Sequence, residues 1–220
     1  MELLQIVFFL GGAIVLWLAL RMRRLNRIQP LPGVSWWVAG YLCVGLASIG
    51  SGADLYLGDW IKGVVTHMLL TGGVALVWIG SRLFLDGRAG PLLVSAVGML
   101  LAFEAAGIIW FYFVESVYQV RLTITCVVLL ILSMGQSMNL FLARFDDRAI
   151  IAAGACYCLF ALLNGLRTVT ILLNPVPTYY LSGPLAATAT MLMLPALISA
   201  EIANLRMIRD VEGAKPDNPA

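Results

Sequence analysis

Residues 91–121 read PLLVSAVGMLLAFEAAGIIWFYFVESVYQVR, and the first 23 of them, Pro91 to Phe113, carry a single charged side chain, Glu104. A helix of that length is about 34 Å long, which is enough to cross the hydrocarbon core of a bilayer. A carboxyl group inside such a span is expensive, and ionisable residues in spans usually face the bundle interior or a functional site. The stretch therefore predicts a transmembrane helix with a polar site at Glu104.

The composition of the whole chain is that of a membrane protein. Of its 220 residues, 61% are hydrophobic and 12% are charged, whereas about 25% are charged in an average soluble domain. The net charge of +2 is too small to indicate nucleic-acid binding. All four cysteines lie in apolar segments, where cysteine generally acts as a small hydrophobic residue. We therefore predict an all-α, polytopic membrane protein that binds no nucleic acid and holds no metal or cofactor.

Seven apolar runs are long enough to span a bilayer, and loops containing proline, glycine or charged residues separate them. The expected helices are approximately 3–20, 35–51, 60–85, 91–113, 122–142, 149–173 and 184–205. Pro195 is expected to kink the seventh helix. Residues 1–209 are expected to form the transmembrane domain, and the polar residues 210–220 are expected to form a disordered cytoplasmic tail.

Arginine and lysine are concentrated at one end of this bundle. Four basic residues follow the first helix, and two lie near the end of the third, two near the end of the fifth and three after the seventh, which makes 11 of the 14 in the chain. Because basic loops stay in the cytoplasm, this pattern predicts seven helices with the N-terminus out and the C-terminus in. We call the half of the bundle away from these basic loops the outer half, and the half next to them the inner half.

Ionisable and polar side chains recur at similar depth in the outer half and are expected to line a cavity there. The candidate ligand-binding residues are Glu104, His67, Arg167, Glu115, Arg121, Asn164 and Thr71. Glu115 is expected on the same stripe of the fourth helix as Glu104, because eleven residues make about three turns. Two alternatives stay open. Arg167 could pair with either carboxylate as a structural tie, and His67 could simply hydrogen-bond a neighbour in the core.

Other polar and small residues are expected to hold the helices together. A polar set on the fifth helix lies in the inner half, where Ser199 and Asn204 of the seventh helix could meet it; this set consists of Ser133, Gln136, Ser137 and Asn139. Small residues that allow close helix packing recur at Gly11, Gly12, Gly72, Gly73, Gly154 and in the ranges 149–155 and 186–189. The pattern leaves open whether these faces meet another helix of the chain or another protomer.

Catalysis is not predicted. The chain has one histidine, too few for a three-histidine zinc site, and it has no Cys-x-x-Cys-His stretch for haem attachment. Its two lysines, Lys62 and Lys215, are not in the seventh span, so a retinal Schiff base there is excluded. A small-solute transporter built from parallel repeats would fit the helix number, but the two halves of the chain do not resemble each other. Transport is therefore a less favoured hypothesis than a sensor or an accessory subunit.

Four stretches resemble the seven-helix membrane sensory region that precedes bacterial diguanylate cyclase (GGDEF) domains. They are WIGSRLF (78–84), WFYFVESVYQVR (110–121), LNGLRTVTILL (163–173) and LSGPL (181–185). In that family an aromatic-Val-Glu-Pro-Ser pattern follows the fourth helix, with an arginine a few residues later. Here Val114, Glu115 and Ser116 match it without the proline, and Arg121 supplies the basic position.

The resemblance implies a sensor of the bacterial inner membrane that receives a small molecule or lipid in its outer half and signals through the seventh helix. The family continues into a cyclase domain, whereas this sequence ends at Ala220. We therefore expect either a sensor module separated from its output or a stand-alone relative that acts through a membrane or cytoplasmic protein partner, with a homodimer as one option. The alternative is a non-catalytic accessory subunit that packs its small-residue faces against a larger membrane complex. Both expectations place the chain in the lipid bilayer.

Overall fold

The computed structural model describes residues 3–28, 30–53, 58, 60–115, 117–143, 147–173 and 184–213, which form seven α-helices and no strand. The helices are α1 Leu3–Ile28, α2 Val34–Gly52, α3 Thr66–Asp86, α4 Pro91–Phe113, α5 Tyr118–Ala143, α6 Arg148–Leu173 and α7 Pro184–Gly213, and a π-helical turn, Ile61–Val65, leads into α3. All seven α-helices contain a segment long and apolar enough to cross a membrane. The predicted fold class, all-α with seven spans, is confirmed.

Local sequence explains where several helices begin and end. Gly33 precedes α2 with φ 83° and Gly87 follows α3 with φ 70°, and glycine reaches this left-handed region at little cost. Pro91 opens α4, where its missing N–H would have had no helical partner.

Two helices extend beyond their predicted ends. α1 continues to Ile28 instead of stopping near residue 20, because arginine, leucine and methionine are good helix formers and long basic side chains can reach polar surroundings from a helix end. α7 runs to Gly213 and is helical across Pro195. Residues 210–213, which the sequence assigned to a disordered tail, are thus helical, and residues 214–220 lie outside the described residues.

Six helices form a closed ring in the order α1, α2, α3, α5, α6 and α7, with α7 packing back on α1. α4 lies outside this ring, against α3, α5 and the π-helical turn. Its buried residues are only Val97, Glu104 and Ile108. α4 is therefore the least buried of the seven helices, and Glu104 lies on the narrow face that it turns toward the ring.

Glycines bring α2 and α3 into backbone contact. A Cβ atom added to Gly40 would lie 2.6 Å from the carbonyl oxygen of Gly73, and one added to Gly73 would lie 2.7 Å from the carbonyl oxygen of Gly40. Gly12 meets Gly45 of α2 in a similar way. Such small-residue crossings are typical of membrane helices.

The small-residue faces predicted from the sequence are used largely inside the chain. Besides Gly12 and Gly73, Gly11 faces Leu194 of α7 and Gly154 faces Phe141 of α5, whereas a Cβ at Gly72 would meet no atom within 4 Å. Most of these glycines are therefore already covered by neighbouring helices.

Candidate functional site

Glu104 is fully buried between α4 and the ring, with 0% of its surface exposed. Neither carboxyl oxygen accepts a hydrogen bond from any described residue. The hydroxyl groups of Thr71 and Thr125 lie beside it, but Thr71 donates to the carbonyl oxygen of His67 (3.1 Å) and the Thr125 hydroxyl bonds the His67 imidazole. Burying a carboxyl group without donors is unfavourable. Glu104 is therefore a buried carboxyl group whose hydrogen-bonding capacity the described residues do not satisfy.

His67 lies half-buried on α3, one turn outward from Thr71. Its Nδ1 atom is 2.8 Å from Oγ1 of Thr125. This contact matches the alternative in which His67 hydrogen-bonds a neighbour in the core. Arg121 and Arg167 lie near enough for their positive charges to act on the imidazole. The imidazole thus lies near two cations, and the Thr125 hydroxyl group that it bonds also lies beside Glu104.

Arg121 lies in the first turn of α5 and is 5% exposed. Its guanidinium is 4.8 Å from the ring centre of Tyr112 and 5.5 Å from that of Tyr118, distances at which cations interact favourably with aromatic faces. Gly63 makes room for it, since a Cβ there would lie 2.9 Å from Nη1. The Nε and Nη1 atoms donate to no described residue. Arg121 is among the residues expected to line the outer-half cavity, and the structure encloses its guanidinium between aromatic rings.

These groups form one column, which we call the outer column: Gly63, His67 and Thr71 on one side, Arg121 and Thr125 on α5, and Glu104 on α4. Successive residues on the first side (63, 67, 71) and on α5 (121, 125) are four positions apart, which is about one helical turn. Arg121 meets Gly63, Thr125 meets His67, and Glu104 lies beside Thr71. The column therefore runs inward from a cation through an imidazole to a carboxyl group.

The π-helical turn shapes the outer end of this column. Residues Ile61–Val65 widen the backbone just before His67, and the turn packs on α4. Such single π-helical turns occur frequently at functional sites. Here the turn carries Gly63, which accommodates the Arg121 guanidinium.

The remaining predicted site residues are placed less centrally. Arg167 is half-buried on α6, near Cys126 and His67. Asn164 is fully buried, donates to the carbonyl oxygen of Phe160 (2.8 Å), and has an Oδ1 atom without a partner among the described residues.

Glu115 does not share a stripe with Glu104. α4 ends at Phe113, so Glu115 lies past the helix and is exposed. The eleven-residue spacing places both carboxylates on one face only in a continuous helix. Because α4 ends before Glu115, the predicted common face was wrong. Glu104 also makes no hydrogen bond to Arg167, so the direct structural tie between them is not formed.

A second buried group in the inner half was not predicted as a site. The Tyr41 and Tyr157 hydroxyl oxygens are 2.7 Å apart, and Asn204 donates to Tyr41 over 2.7 Å. Glu201 is fully buried nearby, and its oxygens accept no hydrogen bond from the described residues. Its position within the apolar α7 span was the signal that could have identified it.

The polar set of α5 finds partners on helices other than the one expected. Gln136 donates to Ser81 of α3 over 2.6 Å, and Trp37 of α2 donates to the same hydroxyl over 2.9 Å. Ser137 donates to the carbonyl oxygen of Gly154 on α6. The predicted meeting with α7 was wrong, because α3 and α6 flank α5 in the ring.

The described part of the chain contains no candidate metal site, because no three of its histidine, cysteine, aspartate and glutamate side chains lie close enough together to hold an ion. Comparison of the chain with known protein families, with curated proteins and with solved structures found no match. The described residues therefore define an all-helical multi-pass membrane protein, and the likeness to the diguanylate-cyclase sensory region stays a prediction.

Proposed function

We propose that the protein is a membrane-embedded sensor that binds a small polar molecule in the outer column and signals through α7 to a cytoplasmic partner. The observation that carries this proposal is the pair Glu104 and Arg121. Glu104 is an acid and Arg121 is a base, both are buried in the same half of the bundle, and each has polar atoms without a partner among the described residues.

The geometry of the column indicates what kind of molecule would satisfy both groups. Glu104 lies nine residues before the end of α4, and Arg121 lies three residues after the start of α5. At 1.5 Å per residue the two positions differ in depth by about 9 Å. A molecule that offers a cationic or N–H group to Glu104 and an anionic group to Arg121 would fill both, so a zwitterion of amino-acid or dipeptide size is the best chemical match.

Entry to the column requires movement of α4. Glu104 is fully buried, and α4 is the one helix that packs outside the six-helix ring. Arg167 of α6 also lies beside the column, and α6 packs along α7. Binding that shifts α4 and Arg167 would thus reach α7, whose inner end is the proposed output. The charge distribution supports an inner-membrane topology with this end in the cytoplasm.

The competing function, an accessory subunit of a larger complex, receives less support. Its rationale was that small-residue faces are available to a partner. Gly12, Gly73 and Gly154 instead meet helices of the same chain. The sensor hypothesis relies instead on buried polar groups that have no partner within the described part of the chain.

The test compares ligand-induced stabilisation in three proteins purified in detergent: wild type, Glu104→Gln and Glu201→Gln. The probes are the proteinogenic amino acids, a set of dipeptides, and matched monocarboxylates and amines. A zwitterion at 100 times its Kd should raise the unfolding free energy of wild type by about 2.7 kcal/mol. The Glu104→Gln variant should lose this effect. The Glu201→Gln variant should keep it, because that carboxyl group is equally buried but belongs to the other half.

The outcome that contradicts the proposal is a uniform lack of stabilisation across the probes, or equal loss in both variants. Stoichiometric co-purification with a large membrane assembly from native membranes would instead favour the accessory subunit.

A further inference from the structure

A groove opens between the first turns of α6 and the last turns of α7, away from the outer column. It encloses about 420 Å³, which is within the usual range of ligand pockets. Small side chains form its walls, including Ala149 and Ala152 of α6 and Ser199 and Ala203 of α7. Because these residues are small, the two helices leave a channel between them even though they pack along most of their length.

Two arginines mark one end of this groove. Arg148 is the first residue of α6 and Arg206 lies on α7, and both line the groove with exposed side chains. Asp210 also lines it, so the lining carries a net charge of +1. Asp147 caps the start of α6 by accepting from the backbone N–H of Ala149 over 2.8 Å, and it is not among the lining residues. The charged end of the groove can therefore accept an anion.

The groove extends from this charged end into the apolar part of the bundle. Along α6 its lining runs from Arg148 to Cys156, eight residues or about 12 Å. Along α7 it runs from Asp210 back to Ser199, about 16 Å. A soluble anion would use only the charged end. An amphiphile with an anionic head and an apolar tail would use both ends.

We infer that this groove binds one anionic phospholipid, with its phosphate held by Arg148 and Arg206 and an acyl chain lying between α6 and α7. Guanidinium groups bind phosphate oxygens through paired, charge-assisted hydrogen bonds. Basic pockets between transmembrane helices are known seats for anionic headgroups, and such lipids are abundant in the cytoplasmic leaflet, where the positive-inside pattern places this end. This lipid site is separate from the outer column and does not depend on the proposed sensor function.

The test measures lipid binding to the intact, detergent-purified protein by native mass spectrometry. The probes are phosphatidylglycerol and phosphatidylcholine with identical acyl chains, and inorganic phosphate. Wild type should bind phosphatidylglycerol at least tenfold more tightly than phosphatidylcholine. The Arg148→Gln/Arg206→Gln variant should lose that preference.

The matched control is Arg23→Gln/Arg24→Gln, which removes the same charge from exposed positions at the same end of the bundle but outside the groove. This control should keep the tenfold preference, and if it loses the preference equally, general surface charge explains the binding and the site is refuted. Ala152→Phe keeps both arginines but fills the groove, and it should weaken phosphatidylglycerol binding. Unchanged binding by Ala152→Phe, or displacement of the lipid by inorganic phosphate at equal concentration, would refute the inference that an acyl chain lies between α6 and α7. Unfolding curves like that of wild type confirm that each variant is folded.

Discussion

The backbone contact between α2 and α3 gives the sharpest stability test, because Gly72 and Gly73 are neighbours in one helix with opposite surroundings. A Cβ on Gly73 would lie 2.7 Å from the carbonyl oxygen of Gly40 and 2.8 Å from a methyl group of Val44. A Cβ on Gly72 would meet nothing within 4 Å. The substitution to alanine is thus the same in chemistry and in helix position, and only the contact differs.

The expected magnitude follows from this contact. Ordinary van der Waals contact begins at 3.4 Å, so Gly73→Ala must separate α2 from α3 by about 0.7 Å or bend one of them. Overpacking of this kind costs about 1–3 kcal/mol. Both substitutions gain up to about 1 kcal/mol of helix propensity. We therefore expect Gly72→Ala to equal or exceed wild type in stability, and Gly73→Ala to be less stable than Gly72→Ala by about 1–3 kcal/mol.

The assay is equilibrium unfolding in mixed micelles as the fraction of denaturing detergent is raised, followed by circular dichroism. The difference between the two variants is the quantity that matters, since the propensity gain cancels in it. Equal stability of the two alanine variants would refute the proposed close approach of α2 and α3. A more stable Gly73→Ala would refute it as well.

The buried hydrogen bonds lead to two further predictions with the same unfolding assay. Ser81→Ala should lower the free energy of unfolding by about 2 kcal/mol, because it leaves the donors of Trp37 and Gln136 without their acceptor. The control Ser133→Ala should be nearly neutral, since that hydroxyl has no partner among the described residues. Equal effects of the two substitutions would contradict the hydrogen bonds to Ser81. Tyr41→Phe removes both bonds of its hydroxyl in the inner half and should cost about 1–2 kcal/mol, and an unchanged midpoint would show that these bonds contribute no net stability.

Much of the fold could be predicted because the relevant signals are local. A run such as 91–113 must cross the bilayer whatever surrounds it, since its length and apolar composition alone decide this. Helix ends were less predictable where helix-forming residues and loop signals occur together. The arginines after residue 20 indicated a loop, yet α1 continues through them to Ile28, because basic residues at a membrane surface are compatible with a helix.

The candidate site could be predicted only in part. Glu104 was identifiable because one carboxyl group in an apolar run is unusual, and the structure places Arg121, His67 and Thr71 in the same column. Thr125 was missed, since a threonine in a membrane helix is ordinary and only its position opposite His67 makes it relevant.

The sequence by itself determined that this protein has seven membrane-spanning helices, and it identified a buried carboxyl group in the fourth. Only the tertiary structure decided that six helices close into a ring with α4 outside, that Arg121 is enclosed by tyrosine rings, and that neither carboxyl oxygen of Glu104 accepts a hydrogen bond from a described residue. The physical reason is that leucine, isoleucine and phenylalanine are as stable against lipid as against each other. The apolar pattern therefore fixes which segments cross the membrane, whereas close contacts between small and polar residues fix which helices are neighbours.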